Sequence, residues 1–87
     1  MYSIEYHKKA LKDLEKIKSN KILNDKVKKL VKIIKTNPYK IPPTFEKLSG
    51  SLNGLYSRRI NKKHRLIYLV DKKSNKIKIL RSHYENV

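Results

Sequence analysis

The hydrophobic residues of this chain change their spacing about halfway along it. Between residues 10 and 34 they recur at every third or fourth position, and from Leu55 onward they alternate with polar residues. The first spacing places an apolar stripe along an α-helix, and the second places an apolar face on a β-strand. The change therefore predicts a pair of helices followed by a set of strands.

The helical part of the chain divides into two stripes at Ser19-Asn20. The stripes consist of Ala10, Leu14 and Ile17, with Leu11 beside them, and of Leu23, Val27, Leu30, Val31 and Ile34. Asn37-Pro38 ends the second stripe, because Pro has no backbone N–H with which to continue a helix. Two amphipathic helices joined by a short turn predict an αα-hairpin.

Four segments have the alternation of a strand. They are residues 2–6 before the helices and Leu55–Ile60, Arg65–Asp71 and Lys76–Ser82 after them. The predicted order is β-α-α-β-β-β, which belongs to the α+β class, with a small antiparallel sheet and two helices packed on one face. At 87 residues the chain is expected to form a single domain over 1–87.

Two connections between these elements also have recognisable patterns. The segment Ile41-Pro42-Pro43-Thr44 is predicted to be an extended connector, because a residue before Pro is kept out of the helical region. Gly50 and Gly54 are expected to flank a turn.

The loop Asn61-Lys62-Lys63 decides how two arginines lie relative to each other. If all three residues form the loop, Arg59 lies opposite Arg65 and both side chains are on one face of the sheet. A two-residue loop would instead place them on opposite faces. Two neighbouring guanidinium groups repel each other, so their adjacency is favourable when an anion lies between them.

The net charge of +16 indicates a polyanionic partner, either a nucleic acid or an acidic protein. A lysine-coated surface without a partner is the alternative.

All four arginines lie between residues 57 and 84, while the other basic residues are lysines. Arginine offers a planar fork of donors that binds a phosphate through two hydrogen bonds. The arginine-containing region is therefore the predicted anion site.

Composition excludes several classes of protein. The chain has no cysteine, so it has no disulfide framework and no thiolate metal site. It contains no apolar run long enough for a membrane helix and no signal-peptide core. These features favour a cytoplasmic protein that does not engage a membrane.

Three spaced motifs resemble the YoeB branch of the RelE-like toxins. They are Leu48-Ser49-Gly50 through Gly54-Leu55-Tyr56-Ser57-Arg58-Arg59-Ile60, His64-Arg65-Leu66-Ile67-Tyr68 and Arg81-Ser82-His83-Tyr84. The resemblance implies the toxin of a type II toxin–antitoxin system, a ribosome-dependent endoribonuclease that cuts mRNA in the A site and inhibits translation. It implies attack by the 2′-hydroxyl on its own 3′-phosphate, without a metal or other cofactor.

The resemblance also assigns roles to individual residues. Glu46 matches the general base, His83 the general acid and Arg65 the arginine that binds the phosphate. In-line attack needs a base and an acid on opposite sides of the phosphorus, which agrees with these roles. The expected catalytic residues are Glu46, Arg65, His83 and Tyr84, and the expected substrate-binding residues are Arg59, Lys47 and Arg81.

The implied partners are the 70S ribosome with its mRNA and an acidic, YefM-like antitoxin that folds over the basic face as it binds. A homodimer is a further expectation. The sequence departs from the family's pattern at three places. Ser49 stands where a Lys is common, Tyr56 stands where a Trp is common, and Glu85-Asn86-Val87 follow the Tyr at which other members end.

Several conspicuous residues have simpler interpretations. His64 is expected to be a turn or packing residue, and Arg58, which alternates away from Arg59, is expected to be structural or to face the antitoxin. Tyr2, Tyr6, Tyr39 and Tyr68 are expected in the core.

Two other functions remain open at this point. The chain could be a basic module that binds nucleic acid through the αα-hairpin without chemistry, although an all-lysine polar face suits phosphate contact better than base readout. It could also be a ParE-like toxin directed at gyrase, although such a protein has no need of an acid–base pair such as Glu46 and His83.

Overall fold

Two helices and five strands make up the computed structural model, which describes residues 1–48 and 54–85. The elements are β1 (Ser3–Tyr6), α1 (Lys8–Ile17), α2 (Lys21–Thr36), β2 (Phe45–Lys47), β3 (Leu55–Arg59), β4 (His64–Asp71) and β5 (Lys76–Glu85). The strands form one sheet in the order β1-β5-β4-β3-β2. The predicted α+β class is confirmed.

The sheet differs from the prediction in two details. It has an additional strand, β2, whose three residues are too few to show an alternating pattern. It is also mixed, because β1 runs parallel to β5 while the other pairs are antiparallel. A parallel pair needs a long crossover connection, and the two helices lie between β1 and the rest of the sheet in the chain.

Both helices begin at a side chain that accepts a hydrogen bond from the first turn. His7 Nδ1 accepts from the Lys9 amide, and Asn20 Oδ1 accepts from the Leu23 amide. Such caps satisfy backbone donors that have no partner within the helix.

Neither helix of the described residues is long and apolar enough to span a membrane.

The predicted stripes of both helices are buried against the sheet. The buried core residues are Ala10, Ile17, Val27, Leu30 and Ile34 from the helices and Ile60, Leu66, Tyr68, Val70, Ile77 and Ile79 from the strands or their ends. Leu11, which was expected beside the first stripe, is half exposed. The stripe instead contains Asp13, which is 2 % exposed.

Arg58 is completely buried and joins the connector between α2 and β2 to the sheet. Its Nε donates to the Tyr68 hydroxyl, and its two terminal nitrogens donate to the carbonyls of Pro38 and Pro43. Its guanidinium carbon also lies 5.0 Å from the centre of the Phe45 ring. Arg58 is therefore structural, and it fixes the segment that leads into β2.

Replacing Arg58 by Lys is expected to lower the free energy of unfolding by about 2–4 kcal/mol, because a single ammonium group cannot reach three separated acceptors and leaves buried oxygens without donors. Urea unfolding would measure the change. Arg59→Lys is the matched control, since Arg59 is exposed and its replacement should cost less than about 0.5 kcal/mol. Equal stability of the two variants would contradict this role for Arg58.

Candidate active site

Arg59 and Arg65 lie directly opposite each other in the β3–β4 ladder, as the three-residue loop predicts. The loop is held by Asn61, whose Oδ1 accepts hydrogen bonds from the amides of Lys63 and His64. Among the side chains of residues 1–48 and 54–84, no carboxylate forms an ion pair with either arginine. Two guanidinium groups are therefore side by side and available to an anion.

A first groove of about 400 Å³ brings Glu46 together with these two arginines. Its lining residues are Thr44, Phe45, Glu46, Ser57, Arg59 and Arg65. Glu46 reaches the groove because β2 pairs with β3 and places it opposite Ser57. One concave surface therefore holds a carboxylate that can accept a proton and two cations that can bind a phosphate.

A second groove of about 480 Å³ holds His83 and Tyr84. It lies between the turn that joins the two helices and the end of β5. Its lining residues are Lys16, Ile17, Asn20, Leu23, His64, Arg81, His83 and Tyr84. The structure thus separates the predicted catalytic residues into two neighbouring groups, with Glu46 and Arg65 in one and His83 and Tyr84 in the other.

A cross-strand pair links the two grooves, since Arg65 of β4, which lines the first, lies opposite Tyr84 of β5, which lines the second. The ladder between these strands is irregular, with register shifts between Arg65 and Ile67 and between Ile67 and Tyr68. Such bulges change the side of the strand on which successive residues stand. The bulged end of β5 therefore determines how His83 and Tyr84 are placed in the second groove.

His64 packs directly on His83, which the sequence did not reveal. The two imidazole rings are stacked with their centres 3.6 Å apart and their planes 17° from parallel. The His64 Nδ1 also lies 3.0 Å from Asn61 Oδ1, so the ring is held at its edge as well. His64 is the packing residue that was predicted, and its packing partner is the candidate general acid.

Arg81 and Lys47, the other predicted substrate contacts, are placed differently from Arg59. Lys47 is exposed at the end of β2 and lines neither of the two grooves. Arg81 lines the second groove, but its fork is taken by Asp13, with Nε 2.8 Å from Oδ2 and Nη2 3.0 Å from Oδ1. The guanidinium carbon of Arg81 lies 5.0 Å from the centre of the Tyr84 ring.

Asp13 is ionised at neutral pH despite its burial. Burial alone would raise the pKa of its carboxyl, but hydrogen bonds from Arg81 and from the Ser82 and His83 amides hold that pKa below its usual range. The sequence offered one signal for this residue, a carboxylate on an otherwise apolar helical stripe. A buried carboxylate in that position needs donors from a neighbouring element.

Some of the predicted features lie outside the described residues. Ser49, the turn at Gly50 and the last residues, Asn86 and Val87, belong to this group.

Among the residues that the structure does describe, no group of three or more His, Asp or Glu side chains is arranged to hold a metal ion.

Comparison with known proteins gives a consistent family. Residues 6–84 match the model of the YoeB-like toxin of bacterial type II toxin-antitoxin systems. The chain is 35 % identical to toxin YoeB of Escherichia coli K12 over 66 residues, which are 76 % of this chain and 79 % of that toxin.

Solved structures agree with the family match. A YoeB dimer from Staphylococcus aureus is 37 % identical, with a TM-score of 0.83 and 98 % of each chain covered. A YoeB–YefM complex from the same species gives 36 % identity, a TM-score of 0.81 and 99 % coverage of each chain. The likeness extends over nearly the whole chain.

Asp13→Asn is expected to lower the free energy of unfolding by about 2–3 kcal/mol at pH 7, because Arg81 and two backbone amides lose a charged acceptor. The folded pKa of Asp13 lies below the value of about 3.9 for an unfolded chain. The stabilisation is therefore complete above about pH 4 and lost as the pH falls through the folded pKa. Urea unfolding at several pH values should show the difference from wild type narrowing below about pH 4.

Asp25→Asn is the control for this measurement, because Asp25 is an exposed carboxylate on α2. It should change stability by less than about 0.5 kcal/mol across the same pH range. A difference between wild type and Asp13→Asn that stayed constant down to pH 2 would contradict the assigned ionisation.

Proposed function

Because the chain belongs to the YoeB-like toxins of bacterial type II toxin–antitoxin systems, we propose that it is a ribosome-dependent endonuclease that cuts mRNA in the ribosomal A site. The observation that carries this proposal is the first groove, where Glu46 shares one concave surface with Arg59 and Arg65. In the described part of the chain, neither arginine has an ion-pair partner. The groove therefore combines a carboxylate that can deprotonate a hydroxyl with two cations that can bind the phosphate that this hydroxyl attacks.

In the proposed reaction, Glu46 takes the proton of the 2′-hydroxyl, and the 2′-oxygen attacks the adjacent phosphorus. The bond from phosphorus to the 5′-oxygen breaks, and that oxygen receives a proton from His83. The products are a 2′,3′-cyclic phosphate and a free 5′-hydroxyl. Each proton transfer by a positioned side chain contributes about 10²–10⁴-fold to the rate. Arg65 and Arg59 stabilise the charge that develops on the phosphate oxygens.

The arrangement of the two grooves suggests where the phosphate lies. Glu46 is in the first groove and His83 is in the second, and the grooves adjoin at Arg65 and Tyr84. A phosphate bound at Arg65 has the base on one side and the acid on the other, which is the requirement of in-line displacement. The RNA strand accordingly passes from the first groove to the second.

The remaining predicted residues bind the strand around this point. The Tyr84 ring is exposed and can stack on an unpaired base. Lys47 lies at the exposed end of β2, where it can contact a phosphate farther along the strand. Arg81 supplies positive charge to the second groove while its fork remains on Asp13.

The proposed protein partner is an acidic antitoxin of the YefM type. The related Staphylococcus aureus toxin has been solved in complex with YefM and also as a dimer. A net charge of +16 favours association with an acidic segment, and a segment lying across the two grooves would block access of mRNA. Dimer formation by this chain is part of the same proposal.

Glu46→Gln and His83→Gln are each expected to reduce cleavage of ribosome-bound mRNA by about 10²–10⁴-fold, because each removes one proton transfer. Primer extension on an mRNA incubated with the protein, with and without ribosomes, would measure cleavage. Glu15→Gln is the matched control, since Glu15 is an exposed carboxylate of α1 that lines neither groove.

Three results would contradict the proposal in different ways. No cleavage by folded wild-type protein would favour a non-catalytic basic module or a gyrase-directed toxin. Equal cleavage without ribosomes would remove the ribosome from the mechanism. Full activity of Glu46→Gln would remove Glu46 from the reaction.

Binding to ribosomes is expected to weaken steeply with salt, because basic side chains displace counterions from RNA phosphates. Arg65→Gln should reduce the slope of log affinity against log salt by about 0.7–0.9, the change for one phosphate contact. Arg65→Lys keeps the charge, so it should keep the slope while cleavage falls through loss of the planar fork. A wild-type slope in Arg65→Gln would show that Arg65 does not contact a phosphate.

A further inference from the structure

Strand β5 continues beyond the end of its parallel neighbour. Strand β1 pairs only with residues from Lys76 to Ile79, and the last of these pairs is with Tyr6. The remainder of β5 has β4 on one side, and helix α1 lies along its other side. Backbone amides on that side need an acceptor that a strand would otherwise supply.

Asp13 of α1 is that acceptor. Its Oδ2 accepts hydrogen bonds from the amides of Ser82, at 3.1 Å, and His83, at 3.4 Å. Successive amides of a regular strand point to opposite sides, so two neighbouring amides reach one oxygen only where the strand is bulged. The β4–β5 register shift between Arg65 and Ile67 lies at the same place.

The same carboxylate also fixes the residue before this pair of amides. Arg81 binds both oxygens of Asp13 through its fork, and its guanidinium lies beside the Tyr84 ring. Four donors from Arg81, Ser82 and His83 bind this carboxylate, three of them at Oδ2 and one at Oδ1. One buried charge thus determines the conformation of the residues that surround His83.

We propose that Asp13 is a positioning residue for the cleavage reaction. It stabilises the bulge at residues 82–83 and so determines the side of β5 on which the His83 imidazole and the Tyr84 ring stand. The inference rests on the proposed function, because it assigns Asp13 a task within that reaction. Asp13 touches no substrate and acts through the backbone of β5 and through Arg81.

A purely structural ion pair and a positioning carboxylate respond differently to Asp13→Glu. The variant keeps the charge and a partner for Arg81, but it moves the oxygens about 1.5 Å farther from the helix, which is the length of one C–C bond. The flexible Arg81 side chain can follow that shift and keep its ion pair. The Ser82 and His83 amides are fixed in the backbone, so they cannot both keep their hydrogen bonds to one displaced oxygen. Asp13→Glu therefore separates the two roles without leaving Arg81 unpaired.

The test measures single-turnover cleavage of ribosome-bound mRNA by wild type, Asp13→Glu, Asp13→Asn and Asp25→Asn, together with ribosome affinity. Both Asp13 variants are expected to cleave about 10- to 100-fold more slowly, as misplacement of a catalytic group by about 1 Å does, with affinity within about twofold. Asp25→Asn should match wild type, because Asp25 is exposed on α2.

Amide hydrogen exchange, followed by NMR, tests the anchor without relying on activity. In both Asp13 variants the Ser82 and His83 amides should lose protection, while Ile77 and Ile79, in the part of β5 between β1 and β4, keep theirs. Unchanged protection of Ser82 and His83 would overturn the proposal. Equal loss at all four amides would also overturn it, since that result indicates general loosening of the sheet.

The two experiments distinguish failure of this inference from failure of the proposed function. If wild type cleaves and Asp13→Glu cleaves equally fast, Asp13 has no positioning role and the endonuclease proposal stands. If folded wild type cleaves nothing, the endonuclease proposal fails and the positioning role fails with it, even where amide exchange confirms the anchor.

Discussion

The buried guanidinium of Arg58 is the constraint on which the rest of this structure depends. A fully buried cation is tolerated only where its donors are satisfied, and within the described residues Arg58 has oxygen acceptors but no carboxylate. The acceptors come from Tyr68 and from the carbonyls of Pro38 and Pro43, so the connector must fold back over the sheet. That course delivers the chain to β2 and places Glu46 beside Arg59. Arg58 and Arg59 are consecutive but have different roles, since Arg58 stabilises the fold and Arg59 lies in the candidate site.

Asp13 has the corresponding task at the far side of the sheet. Arg58 holds the segment that carries the candidate base, and Asp13 holds the segment that carries the candidate acid. Each is a buried charge whose donors or acceptors include backbone groups, so each fixes the path of the chain as well as a side chain. The two grooves lie between these anchors, and the Arg65–Tyr84 pair of the β4–β5 ladder links them.

The sequence predicted those parts of the fold that follow from local spacing. The helical stripes and the pairing of Arg59 with Arg65 depend on residues close together in the chain, and both predictions are confirmed. The three-residue strand β2 has no periodic pattern to detect. The stacking of His64 on His83 and the two-groove arrangement depend on a bulge that α1 imposes on β5, which is a tertiary effect. The burial of Asp13 was visible only as an interruption of an apolar stripe.

The distance along the chain between Asp13 and its donors has a consequence for synthesis. The bonded residues are 68 to 70 positions apart, so this contact joins one of the first elements to be made with one of the last. Domains fold progressively as they leave the ribosome, and contacts between distant residues form late. The helices can form while the chain is still being translated. The contact between Asp13 and the residues around His83 can form only after residue 83 has emerged from the ribosome. A nascent chain therefore lacks the ordered edge that carries His83 until its synthesis is nearly complete.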